Sequence, residues 1–188
     1  EMTRLFSGVK TWDIGAYLLF AGAELLTVRD GEEASRWARL ALYRRILDEY
    51  PRSHLANDAM FESARLCLDL GRGLDALRHL RLLMMQRETS YLMGSYDSPL
   101  YARARFLASD AVLMATGNVR KAVRELELYV QEYPRSSRRG EALFRAYELW
   151  RDAGEASEAG MILHRLAEQF PATVHGKRAR KILDGGAR

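Results

Sequence analysis

The sequence predicts an all-α chain built from stacked helical hairpins, on three observations. The joint Tyr50-Pro51-Arg52-Ser53 recurs as Tyr133-Pro134-Arg135-Ser136 and, altered, as Phe170-Pro171-Ala172-Thr173. At each copy an aromatic closes one amphipathic run, proline forbids its continuation, and Ser or Thr can accept from the free N–H groups of the next helix. Three glycines, Gly71, Gly117 and Gly154, each stand five residues before an alanine: Ala76, Ala122 and Ala159. Large side chains keep fixed distances from the joint prolines: Tyr43, Leu126 and Leu163 eight residues before them, Ile46, Tyr129 and Leu166 five before. Small ones recur twelve residues after a proline, at Ser63, Ala111 and Ala146. Small residues belong where helices cross closely, and large apolar ones where ridges fill grooves.

Residues up to about Val9 form a lead-in without clear period. Thr11 and Asp13 offer caps for a first helix reaching about Val28, with Ala16, Leu19, Ala23 and Leu26 inward. Arg29-Asp30-Gly31 is the turn, and a second helix runs from about Glu33 to Glu49 with Ala38, Tyr43, Ile46, Leu47 and Tyr50 on its inward stripe. The next hairpin has helices from about His54 to Leu70 and from about Leu74 to Gln86. The third runs from Ser98-Pro99 to Thr116 and, past Gly117-Asn118, to Glu132. The fourth runs from Pro134 through Gly154 to Gln169. A short helix from Val174 to Leu183 follows, with a frayed Gly185-Gly186-Ala187-Arg188 end. The expected organisation is one domain over residues 1–188, with hairpins at about 12–50, 54–86, 99–132 and 136–169 and a capping helix at 174–183.

One interval breaks the rhythm. Pro99 to Pro134 is 35 residues and Pro134 to Pro171 is 37, but Pro51 to Pro99 is 48. The excess falls near 87–97, and it reads either as a tolerated loop extension or as a recognition element carrying Tyr91, Met93 and Tyr96, residue types enriched at interfaces.

Composition narrows the classes further. At 188 residues and 48% hydrophobic content, the chain can bury a continuous core. Its longest strongly apolar run, Ile14 to Ala23, is half of the ~20 residues a membrane span needs. No secretory leader is legible after Glu1-Met2. The single cysteine, Cys67, excludes an internal disulfide framework and suits either a reducing cytosol or a periplasm. The bias of 25 Arg to 4 Lys points to a GC-rich, bacterial source. The net charge is +4, and residues 135–188 carry 11 basic against 7 acidic residues, the whole of that excess.

No catalytic constellation emerges. His54, His79, His164 and His175 fall on separate helices or at their starts, in no metal-binding pair. Cys67, between Leu66 and Leu68, reads as a buried small hydrophobe. Gly71-Arg72-Gly73 is a turn, not a phosphate loop, and Glu32-Glu33 and Glu125/Glu127 read as solvated faces. The cluster Arg135, Arg138, Arg139, His175, Lys177, Arg178, Arg180 and Lys181 could meet phosphates, but no recognition motif accompanies it. A polar capping helix is the simpler reading.

The glycine-turn, alanine and terminal-proline positions of the second helix, complete at Gly117, Ala122 and Pro134 and at Gly154, Ala159 and Pro171, resemble the tetratricopeptide repeat, a helix–turn–helix unit of about 34 residues. The first helices keep only the small residue of that pattern. Tyr-Pro-Arg-Ser joints and the slightly long spacing resemble the subclass found in bacterial envelope proteins, such as the lipoprotein of the outer-membrane β-barrel assembly machine and the periplasmic coordinator of the Tol–Pal system. The resemblance implies a right-handed superhelical solenoid whose first helices line a concave face. It implies a non-enzymatic scaffold or adaptor that takes a protein or peptide partner, with no cofactor, metal or small-molecule substrate. The location implied is the periplasm or outer-membrane periphery, with a cytosolic adaptor as the alternative and nucleic acid less favoured. Candidate partner-binding residues are Asn57, Arg65, Arg105, Tyr147 and Glu148 on the first helices, with Tyr91, Met93 and Tyr96 in the extra segment.

Overall fold

A computed structural model describes residues 11–26, 33–86 and 99–186. Among them the regular elements are all helices: α1 (Thr11–Leu25), α2 (Glu33–Glu49), α3 (Ala56–Asp69), α4 (Gly73–Met85), α5 (Pro99–Thr116), α6 (Val119–Glu132), α7 (Arg139–Asp152), α8 (Ala156–Gln169) and α9 (Val174–Gly186). The turn at Arg29-Asp30-Gly31 and the 87–97 segment, with Tyr91, Met93 and Tyr96, lie outside the described residues. Helices adjacent in sequence pack on one another: α1 on α2, α2 on α3, α3 on α4, and α6 through α9 in the same manner. The chain divides into two compact units, the first ending at Ala104 and the second starting at Arg105.

The hairpin turns work as the glycine spacing predicts. Gly71, Gly117 and Gly154 have φ of 71°, 63° and 79°. In that left-handed region a β-carbon crowds the following carbonyl, so glycine ends the helix without that cost. At Gly71 and Gly154 the closure is the same pair of hydrogen bonds. Gly71 N–H donates to Leu68 O and Arg72 N–H to Cys67 O, and Gly154 and Glu155 repeat this with Arg151 and Trp150.

The joints share one geometry as well. The carbonyl of Tyr50, Tyr133 and Phe170 each accepts the N–H of the Ser or Thr three residues on, at 3.0 Å in all three cases. The hydroxyls then diverge. Thr173 Oγ1 accepts from Gly176 N–H at 3.0 Å, inside α9, as a helix cap should. Ser53 and Ser136 accept from Leu55 and Arg138, two residues on, and so brace a preliminary turn rather than the helix itself. At the middle joint Tyr129 and Ser136 also share a hydroxyl hydrogen bond of 2.6 Å.

The close-crossing positions are buried as the spacing requires. Ala76, Ala122, Ser63, Ala111 and Ala146 are 0% exposed, and so are Tyr43, Ile46, Leu126 and Leu166. Two details depart from expectation. In α2, Arg39 is buried and Ala38 exposed. Residues 39, 43 and 46 form the stripe that follows a helical period through Tyr43 and Ile46, and Ala38 lies off it. The buried Tyr43 hydroxyl donates to Glu24 Oε1 at 2.6 Å, and burial followed by that carboxylate pushes its phenol well above the ordinary range. At the other end, α9 continues to Gly186, so Gly185 is helical rather than frayed.

Candidate partner-binding faces

In the first unit, α1, α3 and the start of α5 are the first helices of their hairpins. Tyr17 Oη lies 2.7 Å from His54 Nε2, and His54 Nδ1 lies 3.7 Å from Asp13. The guanidinium of Arg103, on the first turns of α5, lies 4.5 Å from the centroid of the Phe61 ring on α3. Asn57, Phe61 and Arg65 are spaced i, i+4, i+8, so they share one stripe of α3. Arg65 is exposed and pairs with Glu62 at 2.9 Å, a surface contact that leaves its side chain free to exchange partners. Asn57 is half-buried, and its Oδ1 is buried without a hydrogen-bond partner. The neighbouring Asp58 has a carboxyl pushed up by burial, with His54 and Arg103 opposing.

In the second unit, residues of α5 contact α7, and α7 packs against α9. Arg138, Glu141, Arg145 and Glu148 recur at helical spacing along the incompletely buried stripe of α7. Arg138 holds Glu141 at 2.7 Å through both carboxylate oxygens. That hydrogen bond keeps the Glu141 carboxyl below its ordinary range. Arg145 reaches Asp110 of α5 at 3.4 Å and Glu148 at 3.9 Å, so it sits between two acids. Beneath this ladder, Arg138 covers Phe106 at 4.4 Å, while Arg178 of α9 covers Phe144 at 4.6 Å.

The predicted residues therefore separate. Glu148 belongs to the charge ladder, and Asn57 and Arg65 belong to the α3 stripe. Arg105 is committed internally: Nε and one terminal nitrogen donate to the two oxygens of Glu132 at 3.0 and 2.9 Å, and the other donates to Glu125 at 3.0 Å. Burial opposes its charge, but those two carboxylates win and raise its pKa. Tyr147 is 7% exposed, its ring tilted against Phe144. It supports the stripe from below. In the sequence Arg138 reads only as part of the basic cluster and Glu141 and Arg145 go unremarked, although their three- and four-residue spacing carries a legible charged stripe.

The basic cluster is engaged within the fold only in part, with Arg135, Arg138, Lys177, Arg178, Arg180 and Lys181 all exposed. Arg139 donates to Val130 O at 3.2 Å and Pro134 O at 3.1 Å and stacks on Phe170. Arg180 donates to Ala167 O, whereas Lys177 and Lys181 remain exposed. Among the described residues no group of three or more His, Cys, Asp or Glu is placed to hold a metal ion. No helix of these residues is long and apolar enough to cross a membrane. Burial pushes the Cys67 thiol up, away from thiolate reactivity.

This architecture is shared by solved tetratricopeptide-repeat structures. The chain superposes on a tetratricopeptide repeat protein from Parabacteroides merdae with TM-score 0.64 at 12% identity, covering 90% of this chain and 59% of that one. It matches the TPR-like repeats of a Podosopora anserina putative kinesin light chain with TM-score 0.61 at 17% identity, over 90% and 88% of the two chains. MamA aligns with TM-score 0.55 at 14% identity, over 82% and 80%. At these identities the shared property is the fold. No family model matches the sequence, and no curated protein matches it.

Proposed function

We propose that this chain is a protein-interaction scaffold that presents the first-helix face of α5, α7 and α9 to a partner polypeptide. The observation that carries this reading is the ladder Asp110–Arg145–Glu148, flanked by Arg138–Glu141, on helices held by arginine–aromatic stacks. Charges spaced along a preformed helix need little backbone ordering on binding, and alternating signs select a complementary segment over others. Supporting this, tetratricopeptide-repeat structures share the fold, and the Tyr-Pro-Arg-Ser joints with repeat spacings of 35 and 37 residues resemble bacterial envelope scaffolds. We place the protein in an envelope assembly, at the periplasm or outer-membrane periphery, acting without catalysis of its own.

The test is capture from the native organism with identification by mass spectrometry, comparing the native chain with the Arg145→Glu, Glu148→Arg double reversal. Circular dichroism verifies that both are helical. Loss of one specific partner with the reversal is the expected outcome. Retention of that partner rejects the α7 ladder and moves recognition to Asn57 and Arg65 or to Tyr91, Met93 and Tyr96. Fractionation of cells checks the location, and recovery in the cytosol alone contradicts the envelope assignment.

A further inference from the structure

On the second-helix side of the first unit, α2 and α4 leave a cleft of about 370 Å³ floored by α3. That volume lies within the ~300–1,000 Å³ of small-ligand sites. Its walls are apolar at Leu40 and Leu47 of α2, Met60 of α3 and Leu82 of α4. Its polar groups are of two kinds. At the floor, Ser63 is 0% exposed and its Oγ has no hydrogen-bond partner; the buried Nδ1 of half-buried His79 has none either. A buried polar atom left unpaired is costly, so both are poised for a partner that the protein does not supply.

At the rim stand Arg44, Arg72 and Arg78 against Asp48 and Asp75. Arg72 is already engaged, paired with Asp75 at 2.5 Å and stacked 5.1 Å from the Trp37 ring centroid. Among the described residues no carboxylate lies within ion-pair distance of Arg44 or Arg78. Burial holds the His79 imidazole below its ordinary pKa, with Asp75 opposing and Arg78 and Arg44 acting in the same direction as burial, so at neutral pH it is uncharged and can donate from Nδ1.

We infer that this cleft binds a monoanionic carboxylate carrying a short apolar group, the carboxylate held by Arg44 and Arg78 and the apolar group lying on the aliphatic walls. Two free guanidiniums offer the planar donors that suit a carboxylate. Three arginines against two aspartates leave one net positive charge, which matches a monoanion and disfavours a phosphate dianion. A free branched-chain acid and the C-terminal apolar residue of a polypeptide share this chemistry. Because the cleft lies between second helices, the inference does not rest on the partner face proposed above.

Calorimetric titration of the full chain tests it, with N-acetyl-leucine as a chain-end mimic, 4-methylpentanoate as a free acid, N-acetyl-leucinamide as the uncharged control and inorganic phosphate as a competitor. The expected result is saturable binding of at least one acid, at least tenfold weaker binding of the amide, and at least tenfold loss in the Arg44→Gln, Arg78→Gln double variant. Ser63→Ala is expected to weaken binding about threefold, in line with one neutral hydrogen bond. Binding of N-acetyl-leucine without 4-methylpentanoate assigns the cleft to chain ends; binding of both assigns it to free acids as well. An Arg124→Gln variant, altered on α6 outside the cleft, should bind as the native chain does. Equal binding of acid and amide, displacement by phosphate, unchanged binding in the double variant, or no binding at millimolar acid each overturns the inference.

Discussion

At single positions the structure turns spacing into steric demands. A β-carbon built on Gly176 would overlap the Phe170 carbonyl oxygen, a backbone atom that cannot move aside without breaking the joint. Gly176→Ala is therefore expected to lower stability by about 2 kcal/mol or more, within the usual cost of forced overpacking. Gly117→Ala meets nothing within 4 Å and pays only for its left-handed φ of 63°, about 1 kcal/mol. Denaturant titration of the two variants should rank them in that order. His79 supplies a pH dependence. Its folded pKa is depressed by burial, so the unfolded chain takes up the proton first as pH falls. Stability is retained above the ordinary histidine pKa of about 6.5 and declines as pH drops below it toward the folded value. His79→Gln should flatten that part of the thermal-midpoint profile.

Between helices, packing and charge share the work. Ala122 is 0% exposed at a crossing, and Ala122→Leu should cost about 1–3 kcal/mol through overpacking. The Arg105 clamp joins α5 to α6 with side chains 20% exposed for Arg105, 14% for Glu125 and 31% for Glu132. Arg105→Ala strands both acids, at a cost of about 2 kcal/mol, less than the 3–5 kcal/mol of a fully buried pair because water reaches these groups. A thermal midpoint unchanged by Arg105→Ala would show that the clamp is spent on the surface. The same clamp shows why a residue chosen as unused in packing can be occupied. Spacing reveals which stripe a side chain lies on, and the partner across the groove is decided by the next helix.

Over the whole chain, each helix relies chiefly on its sequence neighbours, and such arrays lose structure locally. Hydrogen exchange on Ala122→Leu should accelerate in α6 and α7 while α3 and α4 keep their protection. Circular dichroism should be predominantly helical. The hairpin plan was legible because prolines, left-handed glycines and small crossing residues are local necessities that recur with the repeat. The inward turn of Arg39, the reach of Arg145 to Asp110 on α5 and the carboxylate cleft were not. Arg44 on α2, Ser63 on α3 and Arg78 on α4 become neighbours only after three helices pack, and nothing in their separate contexts marks them.

The fastening of first helix to first helix is of two electrical kinds. Stacks of arginine on aromatic, as at Phe61, Phe106 and Phe144, join a cation to a ring, whereas Arg145 and Asp110 join two opposite charges across exposed surface. Raising ionic strength shortens the reach of the second kind to a few ångströms and touches the first far less. Salt should accordingly loosen the grip on a charged partner well before it loosens the helices, so that release in concentrated electrolyte leaves the scaffold folded and ready to be loaded again.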